Sequence, residues 1–85
     1  MEEDRHAMLL DAQRLALDGI DSYPNSKFSY QIYGDVGIAM ARRHGETHIL
    51  DDAIAQMEGA IPTLLDPELE NGIRTLQRVR REFPT

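Results

Sequence analysis

Residues 22–47 read SYPNSKFSYQIYGDVGIAMARRHGET and carry the signals for one complete helix, from its start to its stop. Asn25 or Ser26 can accept a free backbone N–H of the first turn, and Gly45 favours the left-handed conformation that ends many helices. Between them, apolar side chains recur at the three- and four-residue steps of an amphipathic helix: Phe28, Ile32, Tyr33, Val36, Met40 and Ala41. The segment therefore predicts a helix over residues 27–43.

Three further segments show the same helical period. Breaks at Pro24-Asn25, Gly45 and Asp66-Pro67 predict helices at about residues 3–22, 27–43, 48–61 and 67–83. Pro62 predicts that the third helix ends or kinks near Ala60, because proline has no backbone N–H to donate. No segment alternates as a strand does, so the sequence predicts an all-α fold. We expect a single domain over residues 1–85, with antiparallel neighbours because the loops are short.

Two glycines in one turn of the second helix, Gly34 and Gly37, need a structural reason. Each costs roughly 1 kcal/mol relative to alanine inside a helix. Close approach of another helix through a small residue such as Ala12 or Ala53 supplies that reason. We therefore expect Gly34→Leu to lower the free energy of unfolding by about 1–3 kcal/mol through overpacking, as measured by denaturant titration. A change below about half a kcal/mol would contradict the close packing.

The composition excludes several classes of function. Among 85 residues there is no cysteine, which rules out disulfide frameworks, thiolate metal sites and cysteine nucleophiles. Nine basic and 15 acidic residues give a net charge of −6, which disfavours nucleic acid and anionic membranes as partners. No apolar run approaches the ~20 residues of a membrane span. The acidic start, Met1-Glu2-Glu3-Asp4, is unlike a signal peptide, so we expect a soluble, cytoplasmic protein.

The charged residues are unevenly distributed along the chain. Residues 45–72 contain seven acidic residues and no lysine or arginine, whereas residues 73–85 contain four arginines and one glutamate. Arg74, Arg78 and Arg81 follow at steps of four and three, so they share one side of the predicted fourth helix. That side of the helix can contact an acidic protein, or it can only keep the domain soluble. Contact with the phosphates of a nucleic acid is a third and less favoured alternative.

Histidine and carboxylate clusters are the remaining candidates for chemistry. His44, Glu46 and His48 flank a predicted helix break, which removes the fixed geometry that a metal site needs. Asp51 and Asp52 lie in a first helical turn, where the helix dipole stabilises carboxylates in their charged form, unlike a catalytic acid. No glycine-rich phosphate loop follows a strand. The sequence therefore predicts no enzyme activity, no cofactor and no metal site.

The first and third predicted helices repeat one pattern 41 residues apart. Four positions of the first helix correspond in step to four of the third: Ala12, Ala16, Gly19 and Ile20 to Ala53, Met57, Ala60 and Ile61. The second and fourth helices then form a second matched pair. We interpret the chain as two copies of one helix–helix unit.

This pattern resembles the tetratricopeptide repeat over roughly Asp11 to Leu65. In that family a small, a larger and another small residue mark one helix, a proline follows, and an aromatic residue with a glycine marks the next helix. The matching residues are Ala12, Gly19, Pro24, Tyr30, Tyr33 and Gly34, and then Ala53, Met57 and Ala60. The stretch from Gly34 to Ala53 is about seven residues longer than the family's 34-residue unit allows, and Gly37 stands where an aromatic residue is common.

The resemblance implies two stacked helical hairpins with a groove lined by the second helix. The groove-lining residues would be Phe28, Gln31, Asp35, Ile38 and Arg42, which follow at three- and four-residue steps and mix apolar with polar groups. Such a groove suits a peptide or a helix, so the expected function is a non-enzymatic protein-interaction module. Phe28 and Ile38 have a second interpretation, since both could simply belong to the core.

An alternative function is a structural self-association domain. Two hairpins are fewer than the three or more repeats that a solenoid usually needs, so apolar flanks remain at its ends. Those flanks can pair two chains into a symmetric helical bundle. The basic residues 73–85 can also dock on the acidic residues 45–72 of a second copy. The partner can therefore be a second copy of the chain, as an alternative to a protein or peptide ligand.

Overall fold

Four helices make up nearly all of the described chain. The computed structural model describes the backbone of residues 2–84 and the side chains of residues 5–84. The helices are α1 (Glu2–Ser22), α2 (Lys27–His44), α3 (His48–Leu64) and α4 (Pro67–Arg80). No strand occurs among residues 2–84, so the predicted all-α class is confirmed. Within the same residues no helix is both long and apolar enough to span a bilayer. The side chains of the acidic start, Met1–Asp4, lie outside the described residues.

Among the residues at the helix ends, Gly45 and Asp66 make capping bonds, whereas Ser26 and Thr47 do not. Gly45 adopts φ +69° and its N–H donates to the Ala41 carbonyl at 2.9 Å, which ends α2. The Asp66 carboxylate accepts the Glu68 backbone N–H at 2.9 Å, which caps α4. Ser26 and Thr47 stand at the starts of α2 and α3, but neither side chain accepts a capping bond.

The ends of α3 and α4 differ from the predicted ends at residues 61 and 83. α3 continues through Pro62 to Leu64, because the proline lies close to the helix end and removes only one donor there. The next turn still closes, since the Leu65 N–H donates to the Ile61 carbonyl at 2.9 Å. α4 ends earlier, at Arg80, and residues 81–83 continue as a tighter turn in which the Phe83 N–H donates to the Arg80 carbonyl at 3.1 Å.

One hydrophobic core joins the four helices, and α2 packs against each of the other three. The largest side chains with almost no exposure come from α2, α3 and α4: Tyr33, Met40, Ile49, Leu50 and Leu69. The radius of gyration is 12.5 Å, close to the ~12 Å expected for a compact chain of this length. Because α2 lies at the centre, its surface decides where a groove can form.

Of the two glycines at which close packing was predicted, Gly34 and Gly37, the tighter approach is at Gly37. A Cβ atom added at Gly37 would lie 2.8 Å from the Leu50 Cα and 3.0 Å from its backbone N. At Gly34 the nearest atoms belong to flexible side chains, Met57 at 3.1 Å and Leu76 at 3.2 Å. Neither Ala12 nor Ala53 is among the nearest atoms at either glycine. The start of α3 therefore packs directly on the α2 backbone, and Gly34 instead faces side chains of α3 and α4.

Candidate functional site

A groove runs between α2 and α4, and α2 supplies one wall. Gln31, Asp35, Ile38 and Arg42 line this wall, spaced at the three- and four-residue steps predicted from the sequence. Gly72, Thr75 and Arg78 line the α4 wall, together with Glu82 from the turn that follows. Two adjoining cavities form the groove, and they share Ile38 and Thr75. The name α2–α4 groove refers to these eight residues and to the floor between them.

The floor of the α2–α4 groove is apolar. One cavity, of about 130 Å³, lies over Gly34, Met57 and Leu76. Gly34 and Gly72 have no side chains, which leaves this space open between the helices. A cavity of roughly 150 Å³ holds a benzene ring, so this one can accept a single apolar side chain. The second cavity, of about 450 Å³, continues along the groove over Val79.

The walls of the groove carry opposite charges at its two ends. Asp35 is exposed beside the smaller cavity, and Arg42 and Arg78 line the larger one. Across the larger cavity the Arg42 guanidinium donates to the Glu82 carboxylate at 3.0 Å. Both side chains are about half exposed, so this ion pair contributes little to stability and a ligand can replace it at small cost.

Five of the eight predicted site residues lie in the groove, and three do not. Phe28 is 64% exposed, with the Lys27 ammonium 5.7 Å from the centre of its ring, so it lies in neither the groove nor the core. Ile38 is half-buried, lines the groove and also packs against the core. Arg74 and Arg81 are exposed outside the lining, and Arg74 donates to the Asn71 side chain at 3.3 Å.

Sequence reasoning did not find the α4 wall of the groove. Gly72, Thr75 and Arg78 follow at three-residue steps, and Glu82 lies four residues further on. This spacing would have indicated a shared helix side once α2 and α4 were assumed to pack together. Only Arg78 was predicted, as part of an arginine side rather than as a partner of α2.

Part of the charge asymmetry is used within the molecule. The Arg80 Nε donates to the Asp51 carboxylate at 2.7 Å, which joins the basic C-terminal segment to the acidic band. The Lys27 ammonium lies 2.8 Å from Glu68 and 3.4 Å from Asp66, and the hydrogen bond to Glu68 raises the pKa of Lys27. Basic and acidic residues that are far apart in the sequence therefore pair within one molecule, without a second copy.

The histidine cluster around the α2–α3 loop includes a residue from α1. The His6 Nε2 lies 2.7 Å from the Glu46 carboxylate, and this hydrogen bond lowers the pKa of Glu46. The rings of His6 and His44 meet edge to face, with their centres 4.8 Å apart. Among the described side chains, no group of three or more histidines and carboxylates is arranged to hold a metal ion.

The paired aspartates of α3 have structural partners. Asp51 binds Arg80, and Asp52 accepts a hydrogen bond from the buried Tyr33 hydroxyl. Burial, and then this bond to Asp52, raises the pKa of Tyr33 to about 12. Asp52 thereby satisfies a polar group in the core, and it lies just past the first turn of α3, in which the acidic residue is Asp51.

No protein-family model matches this chain, and no curated protein or solved structure matches it. The resemblance to the tetratricopeptide repeat therefore rests on the residues quoted from the sequence.

Proposed function

We propose that this protein is a non-enzymatic interaction module that binds an extended peptide or a helix in the α2–α4 groove. The proposed arrangement is a tetratricopeptide-like stack, with α1–α2 and α3–α4 as two antiparallel hairpins. The packing of α2 against both α3 and α4 supports it, because stacked hairpins bring their equivalent helices side by side. In such a stack α2 and α4 are equivalent helices, and the groove between them is the binding surface.

One observation carries this proposal: the groove combines an apolar floor with polar walls. Gln31, Asp35 and Arg78 stand around cavities whose floor is formed by buried apolar residues. Apolar contact supplies most of the affinity in such sites, and a few polar groups fix the orientation of the ligand. A surface that only maintained solubility would not need the open space over Gly34 and Gly72.

The charges of the walls favour a ligand of one polarity. An apolar side chain fits the smaller cavity beside Asp35, and an acidic side chain fits the end beside Arg42 and Arg78. The acidic group would replace Glu82 as the partner of Arg42. We therefore expect ligands with an apolar anchor followed by one or more acidic residues.

A peptide selection tests the proposed function. Random 12-residue peptides displayed on phage are selected on the wild-type protein, and the enriched peptides are titrated by fluorescence anisotropy. We expect Gln31→Ala/Asp35→Ala to weaken binding at least about tenfold, because it removes both polar contacts beside the anchor cavity.

Gln77→Ala/Glu58→Ala is the matched control, since both residues are exposed and neither lines the groove. Its affinity should equal that of the wild type, and circular dichroism should show native helix content in both variants. Equal affinities for the groove variant and the control, or no enriched peptide, would contradict the proposed function.

A further inference from the structure

The large apolar side chains that remain exposed are concentrated on the first two helices. In the described part of the chain, six of the seven lie on α1, on α2 or in the turn between them, and the seventh is Leu65 after α3. The six are Met8, Leu10, Leu15, Tyr23, Phe28 and Ile32. Within α3 and α4 themselves no large apolar side chain is exposed. The molecule therefore has one apolar end and one polar end.

Three residues define a surface at the apolar end, and Arg43 lies at its border. Met8 and Leu15 are seven residues apart and share one side of α1. Met8 lines a cavity of about 210 Å³ together with Arg43, which brings this side of α1 next to α2. Ile32 precedes Arg43 by 11 residues, or three helical turns, so both lie on that same side of α2. We call Met8, Leu15 and Ile32 the α1–α2 face.

The internal repeat shows what kind of element covers such a face. Met8 corresponds to Ile49, 41 residues further on, and Ile49 is fully buried whereas Met8 is 68% exposed. Ile49 is buried where α2 packs on α3, as the close approach at Gly37 shows. By this correspondence the α1–α2 face is a helix-packing surface that no helix among residues 2–84 covers.

We propose that a second copy of this chain covers the α1–α2 face through a two-fold axis. The opposite end of the molecule cannot serve as the partner, because the outward side of α4 is polar: Glu70, Asn71, Arg74 and Gln77 are all exposed. Head-to-tail stacking would place apolar residues on charges. Two-fold pairing instead places the same apolar surface on both sides of the interface.

The size of the face is sufficient for a modest dimer. Met8, Leu15 and Ile32 are each more than half exposed, and Phe28 adjoins Ile32 one turn away. Together they approach the roughly 300–600 Å² of the largest apolar patches on monomers, which often serve function. A standard interface buries ~800 Å² per partner, so the polar borders of the face have to contribute the remaining area.

The borders of the face are also complementary in charge. Arg5 precedes Met8 by three residues and Asp11 follows it by three, so the two charges stand on opposite sides of Met8. Arg43 joins Arg5 on the basic border. A two-fold axis along the face brings the acidic border of one copy over the basic border of the other. This pairing also makes the two α1 helices run parallel.

The experiment is sedimentation equilibrium of the full chain from about 5 to about 500 µM, which spans modest affinities. We expect the mass to rise from 9.7 kDa toward twice that value. Met8→Glu/Leu15→Glu should remain monomeric at every concentration. Leu10→Glu/Leu65→Glu is the control, because both residues are exposed and lie outside the face, and it should dimerise like the wild type.

A charge exchange tests the orientation of the two copies. Arg43→Glu should weaken the dimer several-fold, and Arg43→Glu/Asp11→Arg should restore it. A wild-type chain that stays monomeric at about 500 µM would overturn the proposal. So would a dimer that survives Met8→Glu/Leu15→Glu, or one that is lost on substitution of Arg74, Arg78 and Arg81. Groove variants should dimerise normally, so this test is independent of peptide binding.

Discussion

Gly37→Ala is expected to lower the free energy of unfolding by about 1–3 kcal/mol. The added methyl group would lie 2.8 Å from the Leu50 Cα, and backbone atoms cannot move aside as the end of a side chain can. In an open helix the same substitution stabilises by up to about 1 kcal/mol, because alanine is the better helix former. The sign of the effect therefore reports whether α3 packs directly on the α2 backbone.

Gly59→Ala in α3 is the matched control for this measurement. A Cβ atom at Gly59 meets nothing within 4 Å, so this variant should be more stable than the wild type by about 0.5–1 kcal/mol. Urea denaturation of both variants gives the two values. Equal effects of Gly37→Ala and Gly59→Ala would show that α2 and α3 do not meet at this point.

Alkaline pH is expected to destabilise the fold through Tyr33. Because burial and Asp52 raise the pKa of Tyr33 from 10 to about 12, the folded state resists ionisation of this hydroxyl. The stabilisation is fully present below pH 10 and is lost as the pH rises through 12. At 1.36 kcal/mol per pKa unit, the free energy of unfolding should fall by roughly 2–3 kcal/mol over this range.

Tyr33→Phe isolates this effect from the other groups that titrate at alkaline pH. The sole lysine, Lys27, also has a raised pKa. Its loss of charge therefore also lowers the free energy of unfolding as the pH rises, but it does so in both proteins. The difference in unfolding free energy between wild type and Tyr33→Phe, measured by urea denaturation from pH 8 to 12, should therefore shrink above pH 10. Parallel pH profiles would show that the Tyr33 hydroxyl is not buried against Asp52.

Local signals in the sequence predicted the helices better than their packing. Gly45 and Asp66 act through their own backbone neighbourhood, so their effects could be predicted without knowing the fold. The extension of α3 past Pro62 depends on the hydrogen bonds that form after the proline, and the helix preferences of the single residues do not predict those bonds. At Gly37 the neighbour is the α3 backbone, whereas at Gly34 it is the side chains of Met57 and Leu76, and periodicity does not specify this difference.

For the same reason, only the α2 wall of the candidate groove could be predicted. Periodicity identifies one side of a helix, and it correctly grouped Gln31, Asp35, Ile38 and Arg42. Periodicity does not specify how far along α2 the groove extends. It therefore included Phe28, which is exposed beside Lys27. The α4 wall and the bonds from Tyr33 to Asp52 and from His6 to Glu46 join residues far apart in the chain. Such contacts follow from the fold alone.

Nuclear magnetic resonance gives the most direct test of the central claim, that the α2–α4 groove binds a ligand. The ¹⁵N-labelled protein is titrated with the tightest-binding peptide from the phage selection, and shifts of the backbone amides are followed. We expect the largest shifts at Gln31, Asp35, Ile38, Thr75 and Arg78, which line the groove. The largest shifts on α1, or shifts scattered without relation to the groove, would contradict the proposed binding surface.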